Sequence, residues 1–343
     1  MKLATIPVDD PSSESQKRDG RLVIVDDDQG VVALVPAEVA PNLRQALEEW
    51  SRVEGELRTI EDSLKAGKWQ DTRSLSDCSF MAPLPRTTSW LDGSAFIQHI
   101  VLVRKARGAE PPEDLKTVPL MYQGIGDPLL GPKADIQAVS EDHGIDFEAE
   151  VAVLLDDVPM GTDAQDALGH VKLFVLLNDV SLRKLIPREL KAGFGFFHGK
   201  PPSSLGPFAV TPDELGNAWR DGRVHLEMTS HLNGERHGHP DAGEMFFSFG
   251  QLIEHAARTR PLPAGTLLGS GTVSNEDESV GSSCLAEKRM LETIHDGKPS
   301  TPFLRFGDRV RIEMLKDGKS VFGAIDQKIV QAEAARRVET AES

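Results

Sequence analysis

Hydrophobic positions follow a helical period in one early segment of the chain. Between residues 41 and 66 they recur three or four apart, which predicts an amphipathic helix that ends near Gly67. Just before it, "RLVIVDDDQGVVALVP" (21–36) places two β-branched runs around an Asp-rich turn and predicts a β-hairpin. The apolar helix positions are Leu43, Leu47, Trp50, Val53, Leu57, Ile60 and Leu64.

A break in the pattern separates this region from the rest. Residues 71–79 are polar, and "APLPR" (82–86) favours an extended linker because its prolines disfavour helix. We therefore place a domain boundary near residue 80. The expected organisation is a small N-terminal α/β domain at 1–80, a larger domain at 81–330 and a polar tail at 331–343.

Strand-like patterns prevail after residue 80. They do not alternate regularly with helices, so a doubly wound fold is not expected. "SFGQLIEHAARTR" (248–260) predicts a short helix with Ser248 as its N-cap. The predicted class is α+β and β-rich. The strand-like segments are "FEAEVAVLL", "VKLFVLLNDV", "GRVHLEMTSHLNG", "GTLLGSGTV" and "DRVRIEML".

Composition narrows the possible partners. The 343 residues are 39% hydrophobic and 27% charged, as in ordinary globular proteins. No stretch approaches the ~20 apolar residues of a membrane helix, and the first residues lack the apolar core of a secretory signal. The net charge of −16 argues against nucleic acid as a partner. Two cysteines, Cys78 and Cys284, favour a reducing cytoplasm.

Two carboxylates precede one of the predicted strands. In "GIDFEAEVAVLL" (144–155), Glu148 and Glu150 point to the same side of the chain, with Asp146 in the same alternation. A solvated strand face would explain such a pattern. A divalent cation held between the side chains would explain it as well, because it relieves their mutual repulsion.

Further charged residues follow apolar segments elsewhere. Asp92 precedes His99 by seven positions, Asp179 ends an apolar strand four residues before Arg183, and Lys200 lies between Gly and Pro. Asp92 and Asp179 would add two oxygen ligands, and the positive side chains of Arg183 and Lys200 would balance the negative charge. His99 could act on water as a general base. Each residue alone also has a structural explanation, for example Asp179 as a helix cap.

Taken in order, these residues resemble the fumarylacetoacetate hydrolase superfamily over roughly residues 80–330. The N-terminal hairpin and helix followed by "PLPR" look closest to bacterial fumarylacetoacetase-like members. The matching pieces are "APLPR", Asp92 with His99, "PLMYQG" (119–124), Glu148-Ala-Glu150, "LNDVSLR" (177–183), "GK" (199–200), "LNGE" (232–235) and "GSGTV" (269–273) with a following Glu.

The resemblance implies a fold and a set of roles. The fold is a mixed β-roll catalytic domain behind a small N-terminal α/β domain, in a homodimer. The implied metal ligands are Asp92, Glu148, Glu150 and Asp179, which would hold Mg²⁺ or Ca²⁺, with Mn²⁺ as a further option. The implied catalytic residues are His99 as the base, Glu287 that orients it, and Lys200. The implied substrate contacts are Arg183, Thr272 and Tyr122.

Some positions depart from the family pattern. Ser94 replaces an aromatic residue, Ile186 stands where a substrate-contacting glutamine falls, and an expected arginine is shifted to Arg107 or replaced by Arg104. These changes leave the metal and water chemistry intact. They predict a differently shaped or more apolar acyl group in the substrate.

The predicted function is hydrolysis of a C–C bond in a β-diketone or acylpyruvate-type acid by a cytoplasmic, metal-dependent enzyme. Such substrates suggest aromatic catabolism. Isomerisation, hydration or decarboxylation of 2-keto acids on the same site are alternatives within the superfamily. A non-catalytic protein that kept the metal or ligand site is another alternative. The predicted partner is a small keto acid, with no nucleic acid and no membrane.

Overall fold

The computed structural model describes residues 1–106, 110 and 112–333. The helices in this part of the chain are α1 (Glu14–Asp19), α2 (Leu43–Glu48), α3 (Trp50–Lys65), α4 (Ile97–Ala106), α5 (Ala164–Ala167), α6 (Ile186–Ala192), α7 (Pro212–Leu215), α8 (Phe249–Ala256) and α9 (Leu285–Asp296).

Its strands are β1 (Lys2–Ile6), β2 (Arg21–Asp26), β3 (Val31–Leu34), β4 (Thr72–Ser74), β5 (Ser89–Ser94), β6 (Leu120–Gln123), β7 (Ile136–Ala138), β8 (Ile145–Asp146), β9 (Ala149–Leu155), β10 (Val171–Asn178), β11 (Ser181–Leu182), β12 (Ser204–Leu205), β13 (Ala209–Val210), β14 (Trp219–Arg220), β15 (Arg223–Val224), β16 (Met228–Leu232), β17 (Glu235–Gly238), β18 (Thr266–Gly269), β19 (Arg309–Lys316) and β20 (Lys319–Gln331).

Two sheets form the frame of the molecule. The larger has eleven strands in the order β4-β3-β2-β1-β13-β10-β9-β18-β5-β6, with β12 paired to β10. Its strands are antiparallel to their neighbours except β18 and β5, which are parallel. The smaller sheet has five strands in the order β17-β16-β19-β20-β7. The α+β, β-rich class is confirmed.

The larger sheet is covered on both faces, because successive side chains of its central strands point to opposite sides. On one face Leu154 and Leu173 belong to the same core cluster as Leu57 of α3. On the other face Val153 and Phe174 belong to a second core cluster with strands of the smaller sheet. The larger sheet therefore forms the middle of three layers, and its central strands have no solvated face.

Several local predictions are confirmed. β2 and β3 form the hairpin, with Val23 opposite Leu34. The predicted helix is present as α2 and α3, which are separated at Glu49 because its backbone (φ −121°, ψ 28°) leaves the helical region. Ser248 caps α8 in a capping box with Gln251.

The N-terminal strands continue the sheet of the rest of the chain. β1 pairs with β13 through Lys2 opposite Val210 and Leu3 opposite Ala209. The region near residue 80 therefore links segments that share one sheet. β20 extends to Gln331, so the first residue of the predicted polar tail belongs to a strand. Residues 334–343 of the tail, like Arg107, lie outside the described residues.

None of the helices formed by the described residues is both long and apolar enough to cross a membrane.

Candidate active site

Three carboxylates from separate strands meet at one end of the larger sheet. Asp92 lies on β5, Glu150 on β9, and Asp179 follows the last residue of β10. All three are buried, and an oxygen of each lies within 4.8 Å of an oxygen of the others. Strand register explains the convergence, because Glu150 is opposite Leu177 near the end of β10.

A glycine makes room for two of these side chains. β18 lies between β9 and β5, and its Gly269 is opposite Asp92 on one side and Ala152 on the other. A Cβ at Gly269 would lie 2.6 Å from Asp92 Oδ1 and 2.9 Å from Glu150 Oε2. Only a residue without a side chain allows the two carboxylates to approach each other across this strand.

Asp92, Glu150 and Asp179 together are called the carboxylate group below. Their combined negative charge exceeds the positive charge of the side chains around them. The backbone N–H of Gly271 donates to Asp92 (3.2 Å) and Glu150 (3.1 Å), but Glu150 Oε1 is buried without a hydrogen-bond partner. Burial, followed by the like charges of neighbouring carboxylates, raises the pKa of Asp92 and Glu150 well above the usual range. An all-oxygen donor set with an unpartnered oxygen fits a hard divalent cation.

Glu148 lies beside this group but is neutralised by cations. Arg183 donates to its Oε1 (2.7 Å), and Lys200 donates to its Oε2 and also to Asp179. Burial would raise the pKa of Glu148, but Arg183 and Lys200 outweigh it and hold this pKa well below its usual range. The same carboxylates raise the pKa of Lys200 despite its burial, so the lysine is charged.

Asp146 has a supporting position. It accepts hydrogen bonds from the backbone N–H groups of Leu285 (2.7 Å) and Ala286 (2.9 Å) at the start of α9. It also accepts from Arg183 Nε (2.7 Å). The alternating acidic side chains at 146, 148 and 150 thus have different partners. The first anchors a helix and an arginine, while the next two face the cavity and the carboxylate group.

A histidine–glutamate pair lies next to the carboxylates. His99 of α4 and Glu287 of α9 are 188 residues apart, yet His99 Nδ1 lies 3.1 Å from Glu287 Oε2. Ser274 donates to the other oxygen of Glu287 (2.7 Å), which fixes the carboxylate. His99 Nε2 lies 3.8 Å from Glu148 Oε1. One ring nitrogen of His99 therefore contacts the Glu287 carboxylate, and the other faces Glu148.

A cavity of about 550 Å³ lies at this site, and its charged lining consists of Asp92, His99, Glu148, Arg183, Lys200 and Arg104. The aromatic ring of Tyr122 lies in its wall, and its hydroxyl donates to Asp179 Oδ2 (2.6 Å). Thr272 is part of the wall, as are Ser94, Ile186 and Arg104, which occupy the positions that depart from the family pattern. The size suits a small organic molecule.

Comparison with known proteins assigns the chain to a family. Residues 88–330 match the family model described as "Fumarylacetoacetate (FAA) hydrolase C-terminal". Residues 1–86 match the one described as "Fumarylacetoacetase N-terminal domain 2". The chain belongs to the fumarylacetoacetate hydrolase family.

Relatives within this family have different activities. The chain is 29% identical over 263 residues to 2,4-didehydro-3-deoxy-L-rhamnonate hydrolase of Sphingomonas sp. (strain SKA58), covering 76% of this chain and 82% of that protein. It is 27% identical over 247 residues to oxaloacetate tautomerase YisK of Bacillus subtilis (strain 168), covering 70% of each. The family therefore includes hydrolases and tautomerases.

Solved structures of family members share the fold. Maleylpyruvate hydrolase from Sphingobium sp. SYK-6 superposes with a TM-score of 0.66 at 17% identity, over 97% of this chain and all (100%) of that one. A structure of that enzyme in complex with manganese(II) ion and pyruvate gives a TM-score of 0.64 at 17% identity, with the same coverage.

Some site residues were not identified from the sequence. Ser203 donates to Asp179 (2.9 Å), and Gly269 and Gly271 shape the surroundings of Asp92 and Glu150. The two glycines lie in the "GSGTV" motif, and the presence of this motif in the family pattern could have identified them as site residues. The helix-cap explanation of Asp179 is wrong, because α6 begins only at Ile186 with Leu185 as its N-cap.

Proposed function

We propose that this family member is a divalent-cation-dependent hydrolase that cleaves a C–C bond in a β-diketone or acylpyruvate-type acid. The observation that carries the proposal is the placement of His99, paired with Glu287, in the wall of the cavity that Asp92 and Glu148 also line. A base near a cation site is the arrangement that water attack on a chelating dicarbonyl requires.

Asp92, Glu150 and Asp179 would hold the cation, with Glu148 as the fourth carboxylate. The unpartnered Oε1 of Glu150 and the all-oxygen donor set support Mg²⁺ or Ca²⁺, and Mn²⁺ as a further option. The manganese(II) in the structure of the Sphingobium maleylpyruvate hydrolase supports the same choice. When bound, such a cation polarises the substrate's oxygens and orients them.

His99 would act as the general base. If Nδ1–H donates to Glu287, Nε2 carries the lone pair and can take a proton from water. The water oxygen bonds to the acyl carbon, and the C–C bond then breaks with its electron pair left on the departing carbon. That carbon receives a proton, so the products are a carboxylic acid and a smaller keto acid. The ammonium group of Lys200 would stabilise the negative charge that develops on the leaving enolate.

Three other residues would bind the substrate. We assign the substrate carboxylate to Arg183, and contacts with the rest of the substrate to Thr272 and Tyr122, because all three line the cavity. The remaining wall is largely apolar, which supports an acyl group with an apolar end. The apolar wall residues are Ile100, Val103, Leu120, Met121, Ile186, Leu190 and Phe196.

Tautomerisation is the second candidate. The relative named oxaloacetate tautomerase supports it, since a histidine that takes a proton from water can also move one between carbon and oxygen. Isomerisation, hydration and decarboxylation of 2-keto acids on the same metal site are further alternatives. The products separate these activities: hydrolysis gives two fragments, a tautomerase or isomerase one rearranged molecule, and a decarboxylase carbon dioxide.

The proposal is tested by a panel of acylpyruvates, β-diketo acids and oxaloacetate, assayed with Mg²⁺, with Mn²⁺ and with a chelator. We expect fragments from at least one acylpyruvate with either cation, and none with the chelator. Cation should also raise the melting temperature. A rise in melting temperature without turnover of any substrate would instead indicate a non-catalytic binding protein.

The family resemblance also suggests an assembly and a cellular setting. We propose a homodimer that acts in the cytoplasm on a small keto acid, such as those formed when aromatic rings are opened. The maleylpyruvate hydrolase among the structural relatives supports this setting. Light scattering after size-exclusion chromatography measures the oligomeric state directly, and a monomer would contradict it.

A further inference from the structure

A second group of side chains with metal-ligating atoms lies near Glu148, whose Oε1 is 3.8 Å from His99 Nε2. Cys284, His99 and Glu287 each present one donor atom, and these atoms lie within 4.8 Å of one another. Cys284 and Glu287 are buried, and the side chain of His99 is 13% exposed. The thiol has no role in the proposed hydrolysis.

Helix packing holds the three residues in place. Cys284 is the N-cap of α9 and accepts a hydrogen bond from the backbone N–H of Glu287 (3.4 Å), so both side chains lie on the first turn. His99 lies on α4, and Leu102 of α4 packs against Met290 and Leu291 of α9 in a small apolar cluster. The donor atoms are therefore brought together by the fold and not by surface loops.

The donor set differs in kind from that of the carboxylate group. Thiolate, imidazole and carboxylate are the ligands of Zn²⁺, whereas Mg²⁺ and Ca²⁺ prefer oxygen alone. Zn–S and Zn–N bonds of about 2.3 and 2.0 Å place tetrahedral donors roughly 3.5 Å apart. Side-chain movements of about 1 Å would bring the three donor atoms from within 4.8 Å of one another to these distances. A water molecule would fill the fourth position.

We propose that Cys284, His99 and Glu287 form a site for a thiophilic divalent cation such as Zn²⁺, and that its occupation switches the enzyme off. The inhibitory part rests on the proposed function, in which His99 is the base. The binding part rests on the geometry alone.

Inhibition follows from the chemistry of the imidazole. A cation on Nδ1 displaces the proton there, so the neutral ring carries its proton on Nε2 and has no lone pair to accept another. A cation on Nε2 occupies that lone pair directly. Binding also releases the thiol proton of Cys284 to solvent. In either mode His99 can no longer take a proton from water.

Cobalt(II) spectroscopy tests the binding part without any substrate. The protein is first saturated with Mg²⁺ and then titrated with Co²⁺, and the thiolate-to-cobalt absorption in the near ultraviolet is recorded. Cys284→Ser keeps an N-cap oxygen but removes the thiolate. Cys78→Ser removes the other thiol and serves as the control. We expect the band in the wild type and in C78S, and its loss in C284S.

Zinc inhibition tests the second part on any substrate that the panel identifies. At constant Mg²⁺, we expect C284S to need at least tenfold more Zn²⁺ than the wild type or C78S for half-inhibition. Equal zinc sensitivity in C284S and the wild type, or a wild-type protein without a thiolate band, would overturn the proposal. A band that depends on Cys284 in a protein that turns over no diketo acid would establish the site and refute the proposed hydrolysis instead.

Discussion

Asp92 and Glu150 belong to strands that are not neighbours, and their carboxylates meet over a glycine of the strand between them. Gly269 of β18 separates the two strands, and its missing side chain is the space in which the two carboxylates approach each other. Two buried acids in contact repel unless a proton or a cation lies with them.

Gly269→Ala should weaken cation binding. The added methyl group would lie 2.6 Å from Asp92 Oδ1 and 2.9 Å from Glu150 Oε2, so the carboxylates must move apart. Changes in the support of metal ligands typically cost about 10–100-fold in affinity. Titration with Mn²⁺ followed by thermal unfolding measures the effect. Gly169→Ala is the matched control, because a Cβ at Gly169 meets no atom within 4 Å.

The His99–Glu287 pair should control turnover. His99→Ala removes the proposed base, and we expect kcat to fall by about 10²–10⁴-fold. Glu287→Gln leaves an amide beside Nδ1 of His99 and should lower kcat by less. Ser274→Ala removes a hydrogen bond to one oxygen of Glu287 and should lower kcat least of the three. Steady-state kinetics give the order of the three. A kcat within twofold of the wild type in H99A would exclude the histidine as the base.

Phe196 should contribute to substrate binding through the apolar wall. Its ring lines the cavity and packs edge-on against Tyr122, with 5.1 Å between the ring centroids. Phe196→Ala should raise KM for substrates with an apolar acyl end by about tenfold, because about 1.4 kcal/mol of binding free energy from apolar contact is lost. Phe194 lies on the same loop but is 99% exposed, so Phe194→Ala should leave KM unchanged.

Glu292 should stabilise the protein in a defined pH range. Its partial burial would raise its pKa, but hydrogen bonds from Thr301 and Ser300 hold the pKa at about 2, below the ordinary 4.5. A lowered folded-state pKa means that the contribution is complete above about 4.5 and is lost as the pH falls through about 2.

Glu292→Gln should therefore lower the melting temperature at neutral pH. The difference from the wild type should shrink as the pH is reduced from about 4.5 towards about 2, where the wild-type carboxyl becomes protonated in both states. Thermal unfolding across this pH range measures both quantities. A difference that stays constant down to the lowest pH would contradict the assignment.

Local sequence patterns were sufficient to predict the elements whose structure depends on residues close in sequence. The hairpin at β2 and β3 and the capped helix α8 depend on turn and cap residues that are close in sequence. The strand β1 was not predicted, because its five residues have no periodicity of their own; in the fold it pairs with β2 on one side and with β13 on the other. Such a strand is defined by its pairing with other strands, which a single sequence does not display.

Residue patterns suggested the carboxylates and His99, whereas Glu287, Thr272 and Tyr122 were assigned only through the family resemblance. No local rule connects His99 to Glu287, and the ordered motifs supplied both. Asp146 shows the limit of a periodic pattern: it shares the alternation of Glu148 and Glu150, but it binds the backbone at the start of α9. The pattern shows which side a residue faces, whereas packing of a distant helix determines what it meets there.

The pairing of β1 with β13 gives the N-terminal segment a protective role. Residues 88–330 match a family model by themselves, yet without β1 the outer edge of β13 would present unpaired backbone amides and carbonyls. Such an open edge is a template on which another chain can add a strand. The first strands therefore cover an edge of the larger sheet that would otherwise be open to pairing with another chain.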